Sequence, residues 1–233
     1  MIAVITGASR GIGKSVAEVF AEQGFDLAIC ARNEDDLELL GNELKDKYPN
    51  QTIVHKSLDC ANKDELLAFV DFIAEELGTV DVLVNNVGQY IPSTIMDEED
   101  GSLEAMIETN VYPAYYLSKY LAGPMLEEGK GHIFNICSIA SIKPVIAAGS
   151  YSVSKIALLG LTKVLREELM YRGIKVTAVL PGSTLTASWE GTTIPASRFI
   201  QPEDVASAIL NAWKMSEGAV VDEIIIRPTF GEV

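Results

Sequence analysis

Apolar residues along this chain keep changing their spacing. Short, nearly unbroken apolar runs such as 80–84 and 224–226 alternate with longer stretches in which apolar side chains recur every three or four residues. The short runs predict strands at 2–6, 26–32, 52–59, 80–88, 132–138, 175–181 and 223–227. Their continuity fits strands covered on both faces, as in a parallel sheet. The intervening stretches have the period of amphipathic helices. Asn33 stands as an N-cap before Glu34, Asp35 and Asp36, with Leu37, Leu40 and Leu44 at helical spacing. Asn62 with Glu65 makes a capping-box-like start for a helix carrying Leu66, Phe69, Val70, Ile73 and Leu77, closed by Gly78. Pro202 opens a last helix over 203–215. Strand and helix alternating in this way imply right-handed βαβ units and an α/β, doubly wound parallel sheet of about seven strands with helices on both faces. No linker, repeat or break in composition interrupts the pattern, so 1–233 is expected to form one domain.

Composition narrows the function. Hydrophobic residues make up 48% of the 233, enough for a sizeable core. Formal net charge is −15, from 33 acidic and 18 basic residues, and no basic stripe is visible. That argues against nucleic-acid and membrane-surface partners. An anion would have to be held by a few local cations and backbone N–H groups against the overall field, so the place of each arginine matters. The first predicted strand begins one residue after Met1, and no apolar run approaches the ~18 residues of a membrane span, so a cytoplasmic protein is expected. Cys30, Cys60 and Cys137 are far apart without CxxC spacing, which predicts buried reduced thiols and no metal site.

The first predicted strand runs into Thr6-Gly7-Ala8-Ser9-Arg10-Gly11-Ile12-Gly13, and a helix with Val16, Val19 and Phe20 on one face follows. Glycines suit a sharp turn where backbone approaches a phosphate, and a helix N-terminus adds free N–H donors and partial positive charge. Two nucleotide chemistries fit this turn. Residues 8–15 match a relaxed P-loop, which would place Lys14 on the β/γ-phosphates, Ser15 on magnesium and Asp59 behind the metal, although His55-Lys56-Ser57 interrupts the strand before Asp59. Alternatively, Gly7, Gly11 and Gly13 read GxxxGxG, and that spacing after Thr6 resembles the short-chain dehydrogenase/reductase family. The turn by itself leaves both open.

The family's other motifs appear in order. Asn85-Asn86-Val87-Gly88 is similar to its NNAG motif, with Val87 where alanine is usual. Asn110, Ser138, Tyr151-Ser152-Val153-Ser154-Lys155, and Pro181-Gly182 with Thr184 and Thr186 then follow. Tyr-x-x-x-Lys alone is weak, because Tyr115/Lys119 and Tyr171/Lys175 repeat it; only Tyr151/Lys155 has a strand ending in serine just upstream. The resemblance implies a single Rossmann-type domain that binds a nicotinamide dinucleotide. It also implies Tyr151 as acid/base, Lys155 as its tuner and ribose anchor, Ser138 as partner of the substrate oxygen, and Asn110 as a relay through water. Tyrosine, with a pKa of ~10, is a suitable acid for a carbonyl oxygen, and a lysine four residues on shares its helix face. The cofactor would be cradled by Thr6, Gly7, Ser9, Arg10, Gly11, Ile12 and Gly13. Ala31, Arg32, Asn33, Asp59 and Cys60 would line its adenosine side, with Asp59 at the adenine amino group. Asn86, Val87, Gly88, Tyr151, Lys155, Pro181, Gly182, Thr184 and Thr186 are the other cofactor-binding residues that the resemblance implies.

An acid at the end of the second strand would bind both ribose hydroxyls of NAD and repel a 2′-phosphate. Here that stretch reads Ile29-Cys30-Ala31-Arg32, and with Arg10 in the turn two guanidiniums can meet one dianion, which selects NADP(H). Substrate selection is expected around 89–96 and in a loop at 183–200, which carries Trp189 and few charges. Compact length and the TGASRGIG opening most resemble 3-oxoacyl carrier-protein reductases, so the substrate is a small carbonyl or alcohol, free or carrier-bound. A docking patch for an acidic carrier would have only Lys119, Lys143 and Lys163. Family members imply a homotetramer or homodimer through helices near 101–121 and 150–172. Three classes remain: an NADPH-dependent carbonyl reductase, a P-loop nucleotide hydrolase, and an NADPH-binding regulator without turnover.

Overall fold

The computed structural model describes residues 1–233. Seven strands form one sheet: β1 Ile2–Thr6, β2 Asp26–Ala31, β3 Ile53–Ser57, β4 Val82–Asn85, β5 Gly131–Ile136, β6 Ile174–Pro181 and β7 Glu223–Ile226. Their order is β3-β2-β1-β4-β5-β6-β7 and every neighbouring pair is parallel. The helices are α1 Gly11–Glu22, α2 Glu34–Lys47, α3 Lys63–Glu76, α4 Ser102–Asn110, α5 Tyr112–Glu128, α6 Gly149–Leu169 and α7 Pro202–Trp213. The expected α/β doubly wound sheet is therefore present.

Side-chain alternation along the central strands divides the core. Ala3, Ile5, Leu27 and Ile29 face α1, α2 and α7, while Val4, Ala28 and Cys30 face α3 and α5. Residues two apart share a face of a strand, so each run supplies both cores at once. On the first side Phe20 of α1 is fully buried, edge-on to Phe25 at 4.9 Å. Cys30 and Cys60, distant in sequence, meet on the second side with their sulfurs 3.8 Å apart as unbonded thiols.

Strands stop earlier than the apolar pattern predicts. β2 ends at Ala31, β3 at Ser57, β4 at Asn85 and β5 at Ile136, leaving 58–59, 86–88 and 137–138 beyond the ladder. Leu58, Cys137 and Ser138 there are still buried, so apolar or small composition does not mark where pairing ends. The order reverses at β1, whose neighbours are β2 and β4, and this switch opens a crevice past the carboxyl ends of β1 and β4. Pro113, which has no N–H to give to Thr109, accompanies the break between α4 and α5 and leaves Asn110 at a bend over that crevice.

His132 of β5 sits in the core, stacked on Phe134 with ring centroids 3.9 Å apart. Thr177 Oγ1 donates to Val221 O at 2.6 Å, so its contact with His132 Nε2 at 2.7 Å has the ring nitrogen donating. Nδ1 is then buried without a partner. Burial holds the imidazole neutral, lowering its pKa from 6.5 to about 3. The unfolded chain thus takes up this proton first, and stability falls as pH drops below 6.5, at up to ~1.4 kcal/mol per pH unit, until about 3. His132→Leu is expected to flatten this part of the acid limb, making the variant's loss between pH 7 and 5 about 2 kcal/mol smaller than wild type in urea titrations. Parallel acid limbs would show that His132 is not the sensitive group.

Candidate active site

The crevice is a cleft of about 530 Å³. One wall is the β1–α1 turn, with Gly7, Ser9, Arg10, Gly11 and Ile12; the others come from the ends of β2, β3 and β4 and from Thr186 to Ser188. Gly7 and Gly11 adopt φ of +64° and +56°, a region L side chains rarely enter. Gly13 is needed for space: a Cβ there would run into Gly7 O and Asn86 Nδ2. Thr6 is buried and closes the turn, since its Oγ1 accepts from Asn86 N at 3.0 Å and Val87 N at 3.1 Å. Asn86 Nδ2 donates back to Thr6 O at 2.9 Å and Gly7 O at 3.1 Å. Thr6, Gly13 and Asn86 therefore shape the turn from behind.

Helix α1 differs from its neighbours at its start. Asn33 caps α2 through Asp36 N at 3.0 Å, and Asn62 caps α3 through Asp64 N and Glu65 N. The Glu65 carboxylate does not close a reciprocal box on Asn62 N; it accepts from Asn62 Nδ2 at 2.7 Å and Asp59 N at 2.9 Å. At α1 the N-cap is Arg10, with no side-chain cap and no acid in the first turn. Its first N–H groups are left for an external anion. Arg10 and Arg32 both line the cleft and neither is held in an ion pair. Ala31, Asn33, Asp59 and Cys60 share that wall, where Asp59 Oδ1 accepts from Ala61 N at 3.0 Å. An uncapped helix start, two left-handed glycines and free guanidiniums fit the phosphates of a dinucleotide.

The P-loop alternative does not survive this geometry. Lys14 points along the outside of α1, 4.0 Å from Glu18 and 3.6 Å from Glu43. Ser15 is buried with Oγ on Glu203 Oε1 at 3.4 Å. Neither reaches the cleft that the turn lines.

Next to Gly88 and Tyr90 of the cleft lining, Tyr151 lies in the first turn of α6 and Lys155 one turn later. Ser138 follows β5 and is the N-cap of a 3-10 turn, its Oγ accepting from Ala140 N at 3.1 Å. The capping role does not exclude a second one, because it uses the Ser138 oxygen as acceptor and leaves the O–H proton for the Tyr151 hydroxyl or a substrate oxygen. Burial raises Tyr151 above the ordinary tyrosine value, opposed by a hydrogen bond with the Ser138 side chain and aided by Tyr90 and Cys137. Lys155 is buried; its Nζ donates to Ile136 O at 2.9 Å and sits 5.9 Å from the Tyr151 ring centroid. Burial lowers its ammonium from 10.5 to about 8. Desolvation, and not the expected pull of the lysine, sets the direction of the Tyr151 shift. Gly88 lets Lys155 approach, since a Cβ there would stand 3.2 Å from Nζ.

Asn110 is pinned on both sides. Its Nδ2 donates to Gln89 O at 3.0 Å and Ser154 Oγ at 2.9 Å, and its Oδ1 accepts from Gln89 N at 2.7 Å. The side chain therefore ties the loop after β4 to α6. Ser141, Ser154, Tyr90 and Glu232 are site residues that the sequence did not single out. Ser141 joins the Ser138 turn to α6 by donating to Lys155 O at 2.8 Å while accepting from Ser138 N at 3.3 Å. Its signal was present, as the third residue after a serine N-cap. Tyr90 packs edge-on against Tyr151, centroids 5.0 Å apart. Glu232 Oε2 accepts from Ser183 N at 2.7 Å beside Pro181-Gly182; burial pushes its carboxyl up, but bonds from Ser183 and Arg227 outweigh that and hold it below the usual range. Thr184 Oγ1 donates to Gly182 O at 3.0 Å, and Leu185 N donates to Ile200 O at 2.9 Å, closing the neck of the 183–200 segment. Thr186 reaches the cleft.

The other Tyr-x-x-x-Lys pairs lie elsewhere. Tyr171 is exposed in a 3-10 turn and Lys175 donates to Ser216 O at 2.8 Å. Tyr112, Tyr115 and Tyr120 are exposed on α5. No helix is long and apolar enough to cross a membrane, and no group of three or more His, Cys, Asp or Glu side chains is placed to hold a metal ion.

A family model described as short chain dehydrogenase matches residues 1–194. An uncharacterized oxidoreductase of Staphylococcus saprophyticus is 33% identical over 228 residues, 97% of each chain. L-Sorbose reductase from Gluconobacter frateurii, solved with NADPH and L-sorbose, is similar with a TM-score of 0.89 at 29% identity, covering 97% of this chain and 94% of that one. An actinorhodin polyketide ketoreductase variant solved with NADPH gives a TM-score of 0.89 at 30% identity, covering 100% and 97%.

Proposed function

The chain belongs to the short-chain dehydrogenase family, and on that premise we propose that it is an NADP(H)-dependent oxidoreductase interconverting a carbonyl and a secondary alcohol. The observation that carries this reading is the meeting of Ser138, Tyr151 and Lys155 beside Gly88 and Tyr90, two lining residues of a cleft that also presents Arg10 and Arg32. The NADPH-bound structures of similar reductases support the cofactor.

Bound there, the reduced nicotinamide supplies the hydride. The chain's own part is to hold the substrate oxygen and move a proton to it. Tyr151, kept neutral by burial, donates its O–H to the carbonyl oxygen. Ser138 donates a second hydrogen bond to the same oxygen, which strengthens as negative charge develops there. Lys155, as ammonium below about pH 8, stabilises the phenolate left on Tyr151 and donates to the ribose. Asn110 keeps the 89–98 loop against α6, and a water at this bend would return the proton to Lys155. The glycine turn and the α1 N-terminus hold the pyrophosphate. Arg10 and Arg32 take the 2′-phosphate, with Asp59 at the adenine. Pro181, Gly182, Thr184 and Thr186 flank the nicotinamide, and 183–200 forms the substrate loop. The exposed tyrosines of α5 support a homo-oligomer.

Arg10→Ala with Arg32→Asp is expected to weaken NADPH on the order of a hundredfold or more, the loss of two charge-assisted contacts. NADH should change by less than about threefold, because it lacks the phosphate those contacts hold. Fluorescence titration of both cofactors tests this, and equal weakening of the two would refute the phosphate-reading role.

A further inference from the structure

We propose that the substrate is a ketone with a bulky apolar arm, alkyl or aryl, and neither a polyhydroxy sugar nor an acyl group carried on an acidic protein. This rests on the reductase reading above and concerns what enters beside Tyr151. Two segments flank that tyrosine, 89–98 after β4 and 142–148 before α6. Both are tied to its own helix turn. Gly149 N donates to Ser93 O at 2.8 Å, and Val145 N donates to Ser152 Oγ at 3.0 Å. A Cβ on Gly149 would collide with Ile95, so that side chain lies directly on the helix start. The rim is therefore fixed relative to the reacting oxygen.

Most of its outward side chains are apolar, with Asp97 and Lys143 the exposed charges. Tyr90, whose ring edge meets Tyr151, is 45% exposed; Ile95 is 55%, Ile146 87% and Met96 89% exposed. Apolar side chains left this open beside a reaction centre mark a place where an apolar ligand displaces water. The hydroxyls and acids at the rim are already committed. Ser93 Oγ donates to Thr94 O, Thr94 Oγ1 to Asp97 Oδ2, and Ser150 Oγ to Glu98 Oε1. A polyol would bring several hydroxyls to a surface whose polar groups are already bonded to one another, leaving lost water contacts unreplaced. Lys143 is the one cation in the two segments, too little for an acidic carrier against a net charge of −15.

The test is a series of methyl ketones of increasing alkyl length, with an aryl ketone, L-sorbose and a carrier-linked 3-oxoacyl thioester as comparisons. NADPH oxidation by the whole protein is followed for each. Each added methylene is expected to raise kcat/KM about threefold until the rim is filled, with sorbose and the carrier-linked substrate far below the longer ketones. Ile146→Asp should flatten that slope while NADPH affinity stays the same. Turnover without chain-length dependence, or a preference for sorbose or the carrier substrate, overturns the substrate class and leaves the reductase reading standing. An unchanged slope in Ile146→Asp accompanied by a change in solution mass would mean that the rim seats a second copy, and also overturns it. No NADPH oxidation with any ketone removes the reductase reading and this proposal together.

Discussion

Tyr151→Phe is expected to lower kcat for ketone reduction by roughly a thousandfold, within the range a positioned general acid contributes. NADPH affinity should stay within about twofold, because the phenyl ring keeps its packing and only the proton donor goes. The fold should persist, since Tyr90 still has an aromatic ring to meet edge-on, and the centroid separation of 5.0 Å is a ring contact, not a hydroxyl contact. Activity retained within tenfold of wild type would move the acid role elsewhere. The pH dependence gives a second reading of the same residue. Burial holds Tyr151 protonated beyond the ordinary tyrosine range, so reduction does not lose its acid near neutral pH; Lys155, by contrast, loses its charge as pH rises through about 8.

Lys155→Met should remove activity and stabilise the cofactor-free protein. A fall in the ammonium's pKa from 10.5 to about 8 means that folding at pH 7 carries a penalty of about 3 kcal/mol for burying the charge. Because the folded pKa is depressed, the penalty is complete below about pH 8 and fades as pH rises towards 10.5. Methionine keeps most of the aliphatic packing and loses the bond from Nζ to Ile136 O, which offsets about 1 kcal/mol of the gain. The expected rise in Tm is about 5 °C at pH 7, shrinking towards zero by pH 10, with kcat down by at least about a hundredfold. A variant less stable than wild type at pH 7 would mean that Lys155 is held by partners strong enough to cancel its desolvation.

The fold was legible because apolar runs and helical periods report burial directly. All seven strands were anticipated, and the errors lay at their ends, as at Asn86–Gly88 and Cys137–Ser138, which leave the ladder. Of the site, the residues legible in advance were those whose type is dictated locally. Gly7 and Gly11 are examples, since the backbone there turns left-handed. The supports were not, because they depend on contacts far apart in sequence. Ser154 reaches Asn110 across 44 positions and Ser183 meets Glu232 across 49. Cys30 and Cys60 are buried free thiols as expected, but their 3.8 Å approach was not legible, since it follows from the parallel packing of β2 beside β3. The lysine's effect on Tyr151 was expected from helical spacing alone, and spacing carries no information about desolvation, which here is the larger influence.

The most direct test of the central claim is a single turnover. The protein is loaded with one equivalent of NADPH and mixed with excess ketone, following cofactor oxidation and alcohol product together. One alcohol is expected per NADPH oxidised, at a rate that collapses in Tyr151→Phe while NADPH remains bound. Tightly bound NADPH that no ketone oxidises would contradict it and leave a cofactor-binding protein without turnover.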